Sequence, residues 1–241
     1  MTTCVCERNH LSRDTHRRST IMDTMKRCLI NVDLQHDFIS GSLAVPGAET
    51  IIPVINHLSQ HGPFDVVVYS LDSHPPDHIS FVHNAPLHTH SRRRFKMGDV
   101  ITVQTCAYGT IQQQLWPRHC VQGTEGARLW SALYHKPTAV NVYKGTKSLI
   151  ESYSVFGNVT MNYNTGLHSL LQALGVTHIY FTGLAEDMCV SYSALDALNL
   201  GYHVSIIQDA TCGVNPIDCA RMKEHIRLRG GFYCLSDDLF V

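Results

Sequence analysis

No apolar run in this 241-residue chain approaches the roughly 18–20 residues that a bilayer-spanning helix needs, so no membrane anchorage is expected. An excess of one charge is missing too. The formal net charge of −1 and a pI near 7.0 give no reason to expect nucleic acid or an anionic membrane as partner. There is no charged-then-apolar leader of the secretory kind. The nine cysteines are odd in number and follow no regular framework, which argues for reduced thiols rather than a disulfide scaffold. Internal repeats and linkers are also wanting, so a single domain is expected.

What remains is an ordinary globular composition. Hydrophobic residues make up 44% and charged residues 16%, which excludes a disordered chain. Residues 1–27 are polar, carry Arg17, Arg18, Lys26 and Arg27, and lack an apolar period; they read as a flexible extension. Glu7, Asp14 and Asp23 spoil the acid-poor composition of a mitochondrial leader. A cytoplasmic protein is the expectation, with nuclear access and mitochondrial targeting left as alternatives. A homo-oligomer is compatible with the sequence, which holds no signal for or against one.

From Cys28 to the C-terminus the chain alternates between two patterns. Short aliphatic and β-branched runs at Cys28–Asp33, Asp65–Leu71, Ala139–Lys144, His178–Gly183 and His203–Asp209 read as strands, with a weaker one at Phe232–Leu235. Helical periods lie between them at Ala48–His61, Gly166–Leu174, Val190–Leu200 and Pro216–Arg229, several of them stopped by glycine. This alternation predicts a three-layer α/β/α domain over residues 28–241, built on a mainly parallel six-stranded sheet. The stretch from His74 to Gly126 departs from it, being rich in His, Arg, Pro and Gln with little helical period, and is expected as a functional loop.

In open parallel sheets, ligands bind beyond the carboxyl ends of the strands. Those ends carry Asp33, Asp72, Lys144 and, just past the fourth strand, Cys189. Cys189 leads into a predicted helix, whose N-terminal amides favour a thiolate and can hold an oxyanion. Asp33 and Lys144 are charges at the ends of apolar strands, where each needs a partner. An aspartate beside a thiol can take its proton and later pass it to a leaving amine. Asp72 and His74 stand two apart on one side of an extended segment and suit a divalent ion. The third ligand stays open among His78, His83, His88, His90 and His119.

Five motifs in order carry a resemblance. They are Ile30-Asn31-Val32-Asp33-Leu34-Gln35-His36-Asp37-Phe38, Asp72-Ser73-His74-Pro75-Pro76-Asp77-His78-Ile79-Ser80-Phe81, Leu115-Trp116-Pro117-Arg118-His119-Cys120, Lys144-Gly145, and Gly183-Leu184-Ala185-Glu186-Asp187-Met188-Cys189-Val190. From about Cys28 onward the chain resembles nicotinamidases of the isochorismatase-like superfamily, cysteine hydrolases with a Rossmann-like fold. The resemblance implies hydrolysis of nicotinamide to nicotinate and ammonia through a cysteine thioester, in NAD salvage. It implies a triad of Asp33, Lys144 and Cys189, metal ligands Asp72, His74 and His119, and Ser80 as a further direct or water-mediated ligand. Zinc is the ion expected, with iron and manganese as alternatives. Phe38, Trp116 and Tyr153 are expected as aromatic walls of a pyridine pocket. A cis peptide between Leu184 and Ala185 is expected to aim the Ala185 amide, with that of Cys189, at the oxyanion. The insert His83–Tyr108 is expected to cover the site as a lid. Two other readings accompany this one: a related cysteine amidohydrolase acting on another small amide or an N-carbamoyl compound, and a non-catalytic metal- or partner-binding module.

Overall fold

The computed structural model describes residues 25–240 except 159 and 161, so the reading of an N-terminal extension falls almost wholly outside the described residues. The six expected strands are all present: β1 (Arg27–Val32), β2 (Val66–Asp72), β5 (Val140–Lys144), β8 (His178–Leu184), β9 (His203–Cys212) and β10 (Phe232–Cys234). They form one sheet, paired in parallel throughout, in the order β10-β9-β8-β1-β2-β5. Counting only these six, the spatial order is that of the doubly wound nucleotide-binding sheets. The order reverses between β1 and β8.

Period-two alternation in β1 assigns the layers. Cys28, Ile30 and Val32 face a core shared with Leu167 and Leu171 of α4 (Leu167–Ala173), Ala194 and Ala197 of α5 (Ser191–Asn199) and Ile226 of α6 (Pro216–Leu228). Leu29 faces the opposite core, with Ile52, Ile55 and Leu58 of α2 (Ile52–His61). Helices therefore cover both faces, as the strand–helix alternation requires. The helix ends follow local chemistry. Asn215 caps α6 by accepting the Ile217 amide, and Pro216 occupies the first turn, where its missing N–H costs nothing.

The two central strands are locked together by buried polar groups as well as by the ladder. The Thr182 hydroxyl donates to Asn31 Oδ1 at 2.7 Å, and Asn31 Nδ2 donates to Ser59 Oγ at 3.2 Å. Gly183, at φ 118°, presses against β1 so closely that an added Cβ would lie 2.2 Å from the Val32 carbonyl oxygen. Only glycine fits there.

The His74–Gly126 stretch is more ordered than its composition suggests. It holds α3 (Ala85–Thr89) and an antiparallel hairpin of β3 (Val100–Thr105) and β4 (Gly109–Gln114). Ile101, Val103 and Ile111 alternate onto one face of the hairpin and pack with Ile79, Ala85 and Leu115 in a small core of their own. The remaining elements are short: α1 (His36–Ile39) after β1, and a two-residue pairing of β6 (Gly157–Asn158) with β7 (Tyr163–Asn164).

Candidate active site

Four neighbouring strands, β8, β1, β2 and β5, end on the same side of the sheet and deliver Cys189, Asp33, Asp72 and Lys144 to the point where the strand order reverses. Asp33 leaves β1 with φ 54°, a left-handed conformation uncommon for a residue with a side chain. Gln35 continues the pairing beyond this kink with its side chain. Its Nε2 donates to the Asp72 carbonyl at 2.7 Å, and its Oε1 accepts from the Asp72 amide at 2.8 Å. A side-chain amide thus replaces a backbone rung and fixes Asp72.

Lys144 is fully buried at the centre of the constellation. Its three ammonium protons have three acceptors: Asp72 Oδ1 at 2.6 Å, the Ser152 carbonyl at 3.3 Å and Cys189 Sγ at 3.4 Å. Burial opposes its charge, but Asp33, Asp72 and Cys189 outweigh burial and hold the ammonium well above its ordinary range. Asp33 Oδ1 accepts from the Ser70 hydroxyl at 2.7 Å. Its Oδ2 lies 2.9 Å from Lys144 Nζ in a buried ion pair, and a carboxylate oxygen keeps a second lone pair for another proton. Burial raises the Asp33 carboxyl, opposed by Lys144 and assisted by Asp72, as suits a general base.

Burial pushes the Cys189 thiol well above its ordinary range; Lys144 opposes this while Asp33 and Asp72 add to it. The helix-start argument fails on position as well. Cys189 lies inside a turn of π-helix, Glu186–Val190, and α5 begins only at Ser191. Its proton must therefore be removed by a neighbour, and Asp33 is suitably placed: oxygens of Asp33 and Asp72 and the Cys189 sulfur all lie within 4.8 Å of one another.

Asp72 also belongs to a second group. Ligand atoms of Asp72, His74 and His119 lie within 4.8 Å of one another, and all three residues are buried. Asp72 Oδ2 is 3.5 Å from His74 Nε2 and 3.8 Å from His119 Nε2. Each imidazole is oriented from behind, His74 Nδ1 facing the Gly145 carbonyl at 3.0 Å and His119 Nδ1 the Pro117 carbonyl at 2.7 Å. Donation through Nδ1 leaves each Nε2 lone pair facing Asp72, an arrangement that metal-binding histidines share. His74 Nε2 is buried with no hydrogen-bond partner. One carboxylate and two such imidazoles suit a divalent transition ion, and the residues present fit one. Burial opposes ionisation of Asp72, yet its carboxyl is held well below its usual range by Lys144 and His74.

The pocket over these groups is lined by Phe38, Leu43, Val45, Asp72, Trp116, His119, Glu151, Tyr153, Ala185, Met188, Cys189 and Val214. All three expected aromatic residues line it. Trp116 Nε1 donates to the Tyr153 hydroxyl at 3.0 Å, and the Phe38 ring stands 5.4 Å from that of His119. Ala185 lines it too, but no cis peptide occurs among the described residues. Instead Ala185 adopts φ 56°, ψ 62°, a left-handed conformation at the start of the π-turn. None of residues 83–108 lines the pocket itself; the hairpin packs on its own core, and Met97 and Val100 of the insert line the groove that adjoins the pocket.

Ser80 is buried but faces His78, whose Nδ1 lies 2.7 Å from the hydroxyl, while His78 Nε2 reaches the Ile150 carbonyl at 3.2 Å. His78 stacks 4.1 Å from the His74 ring. Burial and the neighbouring His74 lower His78 to about 4, so it is a neutral strut. Glu151 was not singled out in the sequence. It is buried, lines the pocket, and groups with His74 and His78. Its immediate sequence, Ser148-Leu149-Ile150-Glu151, carries no signal of a site. His83 and His90 are exposed and His88 is half-buried, and none of them joins the cluster.

The family model for the isochorismatase domain matches residues 27–238. The chain belongs to the isochorismatase family. Within that family it is 35% identical to the Escherichia coli nicotinamidase over 88% of this chain and 96% of that one. Among solved structures, the yeast nicotinamidase bound to the inhibitor nicotinaldehyde superposes with a TM-score of 0.79 at 28% identity, covering 87% of this chain and 99% of its own. The Pyrococcus horikoshii pyrazinamidase in complex with zinc gives 0.69 at 32% identity, covering 87% and 99%. This isochorismatase-family chain is accordingly an enzyme fold with a divalent-metal site and a small-molecule pocket. No helix among the described residues is long and apolar enough to cross a membrane.

Proposed function

We propose that the chain is a nicotinamidase, hydrolysing nicotinamide to nicotinate and ammonia in NAD salvage in the cytoplasm. Residues 28–241 are read as the hydrolase domain and residues 1–27 as an extension. The observation that carries this reading is the sharing of one carboxylate, Asp72, between the Asp33–Lys144–Cys189 cluster and the histidine pair, beneath a pocket walled by Phe38, Trp116 and Tyr153.

A flat, neutral pyridine ring suits aromatic walls. Asp72, His74 and His119 would hold the divalent ion, zinc in our reading, which when bound supplies a Lewis-acidic anchor for the ring nitrogen and so orients the substrate. Asp33 Oδ2 takes the Cys189 proton as Sγ attacks the carboxamide carbon. The Ala185 and Cys189 amides face the resulting oxyanion. Asp33 returns the proton to the departing nitrogen, and ammonia leaves with its electron pair. Water then loses a proton to Asp33 as it attacks the thioester carbon, and the sulfur departs and is reprotonated. Lys144 keeps net charge low throughout, without losing a proton itself.

Ammonia release from nicotinamide by the purified protein, with Cys189→Ala beside it, tests this directly. Release by the wild type alone is expected. A folded, metal-loaded wild type that releases none would sink the reading and turn attention to N-carbamoyl amides.

A further inference from the structure

Asp187 has no part in the chemistry above, yet it is a buried carboxylate two residues from the nucleophile. Its two oxygens are both engaged at long sequence range: Oδ1 accepts the Val214 amide at 2.9 Å and Oδ2 the Asn215 amide at 2.9 Å. These amides belong to the short loop between β9 and α6. The loop is pressed against the cysteine turn, since a Cβ on Gly213 would meet Cys219 Sγ at 2.1 Å and Asp187 Oδ1 at 3.2 Å. Val214 lines the pocket. It also lines a second groove outside it, whose walls include Met97 and Val100 of the insert and Met222 of α6. Val214 therefore borders both spaces, as Trp116, Tyr153 and Met188 also do, and Asp187 holds its backbone there.

We infer that Asp187 is a specificity-determining positioning residue, which holds Val214 in its place in the partition between the pyridine pocket and the outer groove. The inference rests on the pocket being the pyridine site. The cysteine turn has its own supports, the Met188 amide to the Ala185 carbonyl at 2.9 Å and the Ser191 hydroxyl to the Glu186 carbonyl, so loosening the loop need not disturb Cys189. With the partition relaxed, a substituent on the pyridine ring gains room, and nicotinamide itself loses a wall. A pocket change of this size alters discrimination by about tenfold or more.

The experiment compares kcat/KM for nicotinamide with that for a nicotinamide bearing an ethyl group on the ring. Asp187→Asn, Val214→Ala and the double variant are measured beside the wild type. Each single change is expected to raise the ratio of ethyl-nicotinamide to nicotinamide turnover about tenfold, chiefly through KM. The double variant should do little more than either, because both act on one element. An unchanged ratio in Val214→Ala, or full additivity in the double variant, overturns the inference. Should Asp187→Asn fail to fold, Gly213→Ala pushes the same loop off an intact Asp187 and must shift the ratio in the same direction, or the inference fails. A wild type inactive on nicotinamide would overturn the pyridine reading and this inference with it. An active wild type with an unmoved ratio overturns this inference alone.

Discussion

Lys144 Nζ and Asp33 Oδ2 form a buried ion pair 2.9 Å apart. The ammonium also donates to Asp72, Ser152 and Cys189, so its charge is shared among four neighbours and does not tie up the Asp33 carboxylate alone. This separates two duties that a lysine–aspartate pair usually merges. The charge is balanced, and the base stays available.

Asp33→Asn tests that division. The amide preserves shape and the Ser70 contact but cannot take a proton, so turnover should fall on the order of 100- to 10,000-fold. Thermal melting should change little. Ammonia release within tenfold of wild type would remove Asp33 from the role of base.

Cys189→Ala should abolish turnover and leave the metal content intact, because the sulfur is not among the atoms grouped with His74 and His119. Metal analysis of the purified variant, alongside the ammonia assay, separates loss of the nucleophile from loss of the ion. Appreciable residual activity would end the thioester mechanism.

His119→Ala removes one of three grouped ligand atoms. Metal affinity, measured by competition with a chelator, should weaken by about 100-fold or more, and KM for nicotinamide should rise with it. A variant that kept both would mean that another side chain, with Glu151 first in line, completes the site.

Gly145→Ala addresses the same ion from behind. Gly145 sits at φ 63°, and a Cβ there would fall 2.4 Å from His74 Cε1. Backbone strain of about 1–3 kcal/mol and a displaced imidazole should lower both the melting temperature and metal affinity. Unaltered metal affinity would show that His74 tolerates a shift and so does not set the ion's position.

Gln35→Ala probes the side-chain rung. It strips the Asp72 amide and carbonyl of buried partners, at about 1–3 kcal/mol for each group left unpaired. Denaturant unfolding should report a loss in that range. A loss under about 0.5 kcal/mol would mean that water takes over the rung.

Much of this was legible in the chain. The six strands and the four reactive residues at their ends followed from short apolar runs broken by polar residues, because parallel strands are buried on both faces and read as such. The hairpin was not legible. Its strands, Val-Ile-Thr-Val-Gln-Thr and Gly-Thr-Ile-Gln-Gln-Gln, alternate only weakly and lie among histidines and arginines that suggest a loop. Helix position alone favours a thiolate at Cys189, whereas burial, visible only in the fold, pushes the thiol up. Ser80 was judged by its place in a motif, whereas its hydroxyl is engaged by His78. Glu151 escaped because nothing in its immediate sequence requires a buried carboxylate; only folding brings it beside His74.

The reversal of strand order at β1 has a consequence for how the molecule comes into being. The strand synthesised first keeps one edge bare until its neighbour emerges, and the side-chain bond between Thr182 and Asn31 that seals them spans 151 positions. A ribosome-bound fragment ending before residue 178 can pair β1 with β2 and β2 with β5, but it offers an apolar, unsatisfied strand edge to any passing chain. The nucleophile arrives with the segment that closes that edge. Chains truncated before that segment should therefore be both inert and prone to stick.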